Sequence, residues 1–375
     1  MSELVALDLP AGPAFVDALR AAWDAGDAVL PIDTRLSRAA VERLLDALRP
    51  TRIVSQRGDV PRPGGIPSEP GDALVVATSG TTGRPKGVVH THASVTASAV
   101  ATSAGLDVDP DRDRWVACLP LAHIGGLSVL TRSLVTGTPC TVLERFTVDT
   151  IESEARRGAT LVSLVPTALG RCDASGYRLV LLGGAAPPRS PPPNVVTTYG
   201  MTETGSGCVY DGHPLDGVEL RIGDGVLGSV GEVLVRGPML LRSYRDGTDP
   251  RLAGGWFPTG DGGRIREDGA LVVFGRIAEV IVSGGEKVWP APVEAVVATL
   301  TQVAEVAVWK RPDPDWGERV VAWVVLRPGA EAPALEEVRA LVGSEVAPYA
   351  APQELVIVET LPRTSGGKVR RTDLA

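Results

Sequence analysis

Apolar residues along this chain follow two alternating rhythms. Val41, Leu44, Leu45 and Leu48 recur at the three- and four-residue spacing of a helix that buries one face. Between such stretches lie short unbroken runs, Ala73-Leu74-Val75-Val76-Ala77, Leu161-Val162-Ser163-Leu164-Val165 and Leu179-Val180-Leu181-Leu182, which read as strands covered on both faces. The pattern predicts helices over 14–23, 37–48, 92–105 and 125–136, with strands at 52–54, 115–119, 161–165 and 179–182. Residues 56–71, rich in Pro and Gly, read as a linker. Helices alternating with fully apolar strands predict an α/β fold.

From about Val209 the texture changes to short strands between Gly turns, at 218–222 and 231–235, which predicts a β-rich subdomain. A second change follows Gly275-Arg276: a strand from Ile277, a helix over 292–300, strands at 305–309 and 320–326, a helix over 335–342 and a strand at 354–358. The expected architecture is a large amino-terminal domain of mixed sheets and helices, residues 1–276, and a small α+β carboxy-terminal domain, residues 277–375.

A chain of 375 residues is long for one core and suits two unequal domains. Its net charge of -8 argues against nucleic acid as a partner, since phosphate backbones need a basic face. Acidic substrates must then be met by local cations. The first ten residues carry acids and no basic n-region, so no secretory signal is expected, and no apolar run reaches membrane-spanning length. Cys118, Cys140, Cys172 and Cys208 form no C-x-x-C pair and read as reduced thiols of a cytoplasmic protein.

The densest chemistry lies at Thr78-Ser79-Gly80-Thr81-Thr82-Gly83-Arg84-Pro85-Lys86-Gly87-Val88, set between two β-type runs. Glycines let the backbone approach closely, hydroxyls and N–H groups bond phosphate oxygens, and Lys86 supplies compact positive charge. That is a polyphosphate loop by chemistry. It is not a Walker A loop, because Gly87 follows the lysine and no Ser or Thr comes next to meet magnesium. An ordinary Gly/Ser/Thr hairpin explains the composition but not the concentration of hydroxyls beside a lysine.

Tyr199-Gly200-Met201-Thr202-Glu203-Thr204 offers a ring to stack on a purine, hydroxyls for phosphate and a carboxylate for magnesium. A helix start capped by Thr202 or Thr204 would need the same residues. Thr259-Gly260-Asp261 ends in an acid able to accept both hydroxyls of a ribose, or forms a plain Asp-Gly turn. Ser283-Gly284-Gly285-Glu286-Lys287 is a second glycine loop, and Pro362-Arg363-Thr364-Ser365-Gly366-Gly367-Lys368 carries a lysine that would otherwise be a solvated tail.

Together, and in this order, these motifs resemble those of the adenylate-forming superfamily of acyl-CoA synthetases, luciferases and adenylation domains. Leu119 to Leu127, Val180 to Pro187 and Tyr199 to Gly207, with the compact amino-terminal half, are most similar to the o-succinylbenzoate-CoA ligases of menaquinone biosynthesis. The resemblance implies ATP, Mg2+ and coenzyme A acting on a small carboxylate, through an acyl-adenylate, with release of pyrophosphate and AMP. It implies that Thr78, Ser79, Gly80, Thr81, Thr82, Gly83 and Lys86 hold the β- and γ-phosphates. Gly183, Gly184 and Ala185 would line the adenine pocket, and Tyr199, with Gly200 and Met201, would pack on the base. Thr202 would bind the α-phosphate, Glu203 the magnesium, and Asp261 with Arg276 the ribose.

Lys368 would bridge carboxylate and α-phosphate, and His123 would stand at the acyl-pocket wall, against a plain capped or core histidine. The small domain would then turn near Ile277 and Ala278 to present Gly284, Gly285 and Glu286 to the thiol. Ser206 is the candidate for the second anion site a dicarboxylate needs, and a homodimer is expected from base rates. Lys287 and Trp289 stand where many relatives carry Asn and Tyr. The competing readings are another aryl- or acyl-CoA synthetase, an adenylating enzyme loading a carrier protein, and a nucleotide-binding regulator without chemistry.

Overall fold

The structure, a computed structural model, describes residues 2–79, 85–188, 190–223, 229–363 and 369–374. The chain forms two compact units, one from residues up to 220 with 234–258 and 268–270, the other from 221–233, 259–267 and 271 onward.

The first unit holds two seven-stranded sheets. In one, Leu4–Asp8 lies between Ala28–Pro31 and Arg52–Ser55, all parallel. Leu4 to Leu7 are wholly buried, which is why so short a run can sit at the middle of a sheet. Beyond Ala28–Pro31 come Asp72–Ser79 and then Pro85–Thr91, an antiparallel pair that carries the expected phosphate loop at its tip. The edge strand Ser243–Tyr244 pairs with Pro85–Thr91. The other sheet runs His213–Pro214, Ser206–Tyr210, Val195–Met201, Leu179–Leu182, Leu161–Leu164, Trp115–Ala117, Cys140–Val142. The helix His92–Gly105 starts at a capping box of Thr91 and Ser94. Phe15, Leu19, Leu74, Leu127 and Leu130 join the helices Pro13–Asp24 and Ile124–Thr136 to the first sheet.

In the second unit a sheet of Glu286–Val288, Ile281–Ser283, Gly317–Leu326 and Val303–Asp313, with Glu354–Ile357 beside Gly317–Leu326, packs against the helices Pro290–Val297 and Leu335–Glu345. Residues 261–265 and 271–276 form an antiparallel pair in the same unit.

Most expected elements form, with local corrections. The stretch read as a linker contains the edge strand Gly58–Pro61, paired with Arg52–Ser55; its side chains are exposed, so no apolar alternation marks it. Ile277 opens a 3-10 turn, Ile277–Glu279, and the strand begins only at Ile281. The following helix starts at Pro290, a favoured first-turn residue, and ends at Val297, three residues short of the expected end. Strands Leu4–Asp8 and Ala28–Pro31 and the helix Val148–Arg156 were not anticipated.

Candidate active site

Register places the phosphate end. Thr78 lies opposite Lys86 and Ser79 opposite Pro85, so the two flanks of the loop meet as a closed hairpin base. The Thr78 hydroxyl donates to the Lys86 carbonyl at 3.4 Å. Gly80, Thr81, Thr82 and Gly83 lie outside the described residues. Lys86 is exposed, with Nζ 4.9 Å from the centre of the Tyr244 ring.

The strand Val195–Met201 runs beside Leu179–Leu182, with Leu182 opposite Thr197, so the turn after Leu182 lies next to Thr198 and Tyr199. Gly183 must be glycine, because a Cβ there would stand 2.5 Å from the Thr198 hydroxyl. At Gly200 a Cβ would stand 2.1 Å from the Ser206 carbonyl, at a bulge between Tyr199 and Gly200. Tyr199 and the turn that begins at Gly183 therefore stand side by side toward the carboxyl ends of two neighbouring strands.

Thr202–Thr204 is a 3-10 turn whose capping hydroxyl is that of Thr204, accepting from the Met201 N–H at 2.9 Å. The capping reading therefore belongs to Thr204 and leaves the side chains of Thr202 and Glu203 for other work. Glu203 Oε1 accepts from the Tyr244 hydroxyl at 3.0 Å. Its backbone is held as well, since the Leu241 N–H donates to the Glu203 carbonyl at 2.9 Å.

Beneath this turn His90 is 1% exposed, with Nε2 2.7 Å from the Thr202 carbonyl. A carbonyl only accepts, so Nε2 carries a hydrogen. Burial pulls its pKa down to about 4. His90, Ser98, Ser128, Thr131, Arg132 and Gly205 line a small cavity with room for about one water.

Arg132 is 2% exposed and makes no ion pair among the described residues. Its Nε and Nη1 are buried with no hydrogen-bond partner, and its guanidinium carbon lies 4.9 Å from the centre of the Trp115 ring. Leaving a guanidinium so placed is costly unless a ligand anion meets it. Ser206, the expected anion contact, is buried beside this cavity, but its hydroxyl is 3.2 Å from that of Ser98 and is already partnered. The better candidate donor is Arg132, whose signal in the sequence is slight: it is the one charge in the helix Ile124–Thr136, within the buried stretch 126–132.

His123 precedes the helix Ile124–Thr136 without capping it through its side chain, and it is exposed. Its Nε2 lies 3.3 Å from Arg35 Nη2 and 3.6 Å from Asp33 Oδ2, a surface cluster rather than a core or capping position.

In the second unit Asp261 and Arg276 are opposite each other, with Asp261 Oδ1 3.1 Å from Arg276 Nε. Asp261 is 7% exposed and lies within a strand, so the Asp-Gly turn reading does not hold. Thr259, named in the sequence only as part of the motif and given no role of its own, organises the pair. Its hydroxyl donates to the Val233 carbonyl at 2.7 Å and accepts from the Asp261 N–H at 3.1 Å, and Arg276 Nη1 donates to its carbonyl at 2.8 Å. Trp289 fits here because Gly262 has no side chain: a Cβ would stand 1.9 Å from the indole.

Gly284 and Gly285, at φ of 60° and 86°, form the tip of the hairpin joining Ile281–Ser283 to Glu286–Val288. Lys368 lies outside the described residues, but its flanks are fixed. Arg363 bridges to Val369, and Arg371 pairs with Glu279 at 2.9 Å and Glu294 at 2.8 Å.

A magnesium ion held mainly by ATP needs one or two carboxylates, and Glu203 fits that demand. No group of three or more His, Cys, Asp or Glu among the described residues forms a cage of its own. Cys118, Cys140, Cys172 and Cys208 are free thiols, with burial raising Cys118, Cys140 and Cys208 to about 12. No helix among the described residues is long and apolar enough to cross a membrane.

Comparison with known proteins identifies the family. The AMP-binding enzyme family matches residues 61–245, and the AMP-binding enzyme C-terminal domain matches 292–368. A Mycobacterium tuberculosis protein named "Probable 2-succinylbenzoate–CoA ligase" is 40% identical over 327 residues, covering 80% of this chain and 83% of that one. The 2-succinylbenzoate–CoA ligase of Listeria monocytogenes serotype 4b is 34% identical, covering 80% of this chain and 69% of that one. The o-succinylbenzoate CoA synthetase of Bacillus subtilis, solved with its acyl-adenylate intermediate, superposes with a TM-score of 0.85 at 29% identity, covering 99% of this chain and 88% of that one. The same enzyme solved with ATP and magnesium ion gives 0.83 at 29% identity, covering 99% and 89%. With matches to both family domains and a relative aligned over most of both chains, this chain belongs to the AMP-binding enzyme family, in the branch of the 2-succinylbenzoate–CoA ligases.

Proposed function

We propose that this chain is an ATP-dependent 2-succinylbenzoate–CoA ligase that serves menaquinone biosynthesis in the cytoplasm, where its co-substrates ATP and CoA are found. Binding ATP places the polyphosphate over the hairpin of Thr78, Ser79 and Lys86 and the base against Tyr199. Asp261, held by Thr259 and Arg276, takes the ribose. A substrate carboxylate oxygen attacks the α-phosphorus, the bond to the bridging oxygen breaks, and pyrophosphate leaves with that electron pair. The thiolate of CoA then attacks the acyl carbon, the bond from that carbon to the bridging oxygen breaks, and AMP leaves with that oxygen and its electron pair. Magnesium supplies charge neutralisation of the phosphates when bound, and Glu203 would hold it.

Thr202 and Lys368 meet the charge that builds on the α-phosphate. Lys368 then withdraws as residues 277–375 turn about Ile277 and Ala278, so that Gly284 and Gly285 line the thiol's approach. His123, with Arg35, stands near the acyl entrance.

Arg132 carries the choice of acid. Among the described residues its buried guanidinium has no counter-charge, and the second carboxylate of 2-succinylbenzoate would supply one where the side chains around the one-water cavity move aside to admit it. The test measures AMP and pyrophosphate release with ATP, magnesium and CoA. The acids compared are 2-succinylbenzoate, benzoate, a medium-chain fatty acid and an amino acid. Selective, CoA-dependent turnover of 2-succinylbenzoate is the expected result; equal turnover of benzoate removes the second anion site from the reading.

A further inference from the structure

We propose that Tyr244 is a positioning residue that couples the phosphate-holding lysine to the metal-holding carboxylate; this rests on the reading of Lys86 and Glu203 given above. Three observations converge on it. The phenol donates to Glu203 Oε1 at 3.0 Å, and the face of the same ring lies 4.9 Å from Lys86 Nζ. The backbone fixes both contacts: Tyr244 is opposite Val88 and Ser243 opposite Val89, while the Leu241 N–H bonds the Glu203 carbonyl at 2.9 Å. One short segment is therefore tied to the strand that carries Lys86 and to the turn that carries Glu203.

The chemistry follows from what each group can do. A phenol donates a single hydrogen, so it occupies Oε1 and leaves Oε2 to face a cation; a carboxylate fixed by one oxygen presents the other in a set direction. The ring face attracts the ammonium without neutralising it, so Lys86 keeps its full charge for phosphate oxygens. A ring that served packing alone would need neither the hydroxyl nor the lysine.

The experiment follows Mn2+ binding to the enzyme–ATP complex by electron paramagnetic resonance, with AMP binding and thermal unfolding measured alongside. Tyr244→Phe keeps the ring and removes the hydroxyl. It should weaken Mn2+ binding about tenfold, as loss of one charge-assisted hydrogen bond does, while AMP binding and melting temperature stay at wild-type values. Tyr244→Leu, which also removes the ring from Lys86, should in addition weaken metal-free ATP binding relative to AMP.

In a Glu203→Gln background the Tyr244→Phe change should have no further effect on Mn2+. If Glu203→Gln weakens Mn2+ binding but Tyr244→Phe leaves it at the wild-type value, the positioning role is overturned and the Glu203 reading stands. If Glu203→Gln itself leaves Mn2+ binding unchanged, the metal role of Glu203 fails and this inference falls with it.

Discussion

Arg132, in the first unit, and Arg371, near the carboxyl end, are both drawn largely out of water, but only Arg371 is met by acids. Arg371 reaches Glu279 at 2.9 Å and both oxygens of Glu294 at 2.8 and 2.9 Å, and Glu294 also accepts from the Val308 N–H at 2.7 Å. That guanidinium is a structural tie. It closes the chain just beyond Lys368 onto the helix Pro290–Val297 and onto the residue following Ala278. Arg132 has an indole, hydroxyls and a cavity around it, and no carboxylate among the described residues. Two chemically identical side chains thus differ in their surroundings: the fold supplies an anion to Arg371 and, among the described residues, none to Arg132, which the proposed reading leaves to the substrate. An unmatched buried charge raises the energy of the empty protein, and a ligand that matches it gains selectivity by the same amount.

The comparison can be broken at either arginine or at their neighbours. On the arm that Arg371 anchors, Lys368→Ala should lose at least about a hundredfold in adenylation, the cost of removing one donor of about 3–4 kcal/mol from developing charge, with unfolding unchanged. A wild-type rate of pyrophosphate exchange in that variant would exclude the lysine from the chemistry. Arg371→Met should behave in the opposite sense. It should cost about 3 kcal/mol of stability, because Glu294 is left buried without its cation, and Glu294→Gln should restore much of that in chemical denaturation. A melt unmoved by Arg371→Met would mean the tie is not structural.

His90 tests the cavity from beside Arg132. Its folded pKa is about 4 against the usual 6.5, so between those values the unfolded chain binds the extra proton and stability falls as pH drops. The full loss is about 3 kcal/mol, reached near pH 4, and it is absent above pH 7. Denaturant titrations from pH 7 to 4 should show this slope in the wild type and not in His90→Gln; identical slopes would remove His90 as its source. Arg132→Met should have the smallest effect. The specificity constant kcat/KM for 2-succinylbenzoate should fall about thirtyfold, benzoate should be unaffected, and stability should hold or rise. An equal fall for both acids would make Arg132 a packing residue.

Much of this protein is local in origin and was legible from the chain alone. The helix His92–Gly105 has its capping residues immediately before it, and the apolar runs at Leu161–Leu164 and Leu179–Leu182 can only be covered strands. The phosphate loop announces itself because its glycines, hydroxyls and lysine are contiguous. Motif order alone proposes Tyr199, Glu203, Asp261 and Arg276 as a set, and of these the structure places Asp261 opposite Arg276.

Three things were decided only by the tertiary structure. Leu4–Asp8 is a central strand because its neighbours come from residues 28–31 and 52–55, and five residues carry too little periodicity to say so. The division of labour in the turn after Met201, with Thr204 capping and Glu203 turned to Tyr244, depends on a side chain 41 residues away. That Ser206 already has a hydroxyl partner while Arg132 Nε and Nη1 have none is a property of packing, and it is what moves the proposed anion contact from one to the other. A sequence states which groups can carry charge; only the folded chain determines which of them is left without a counter-charge, because that depends on every element packed around it.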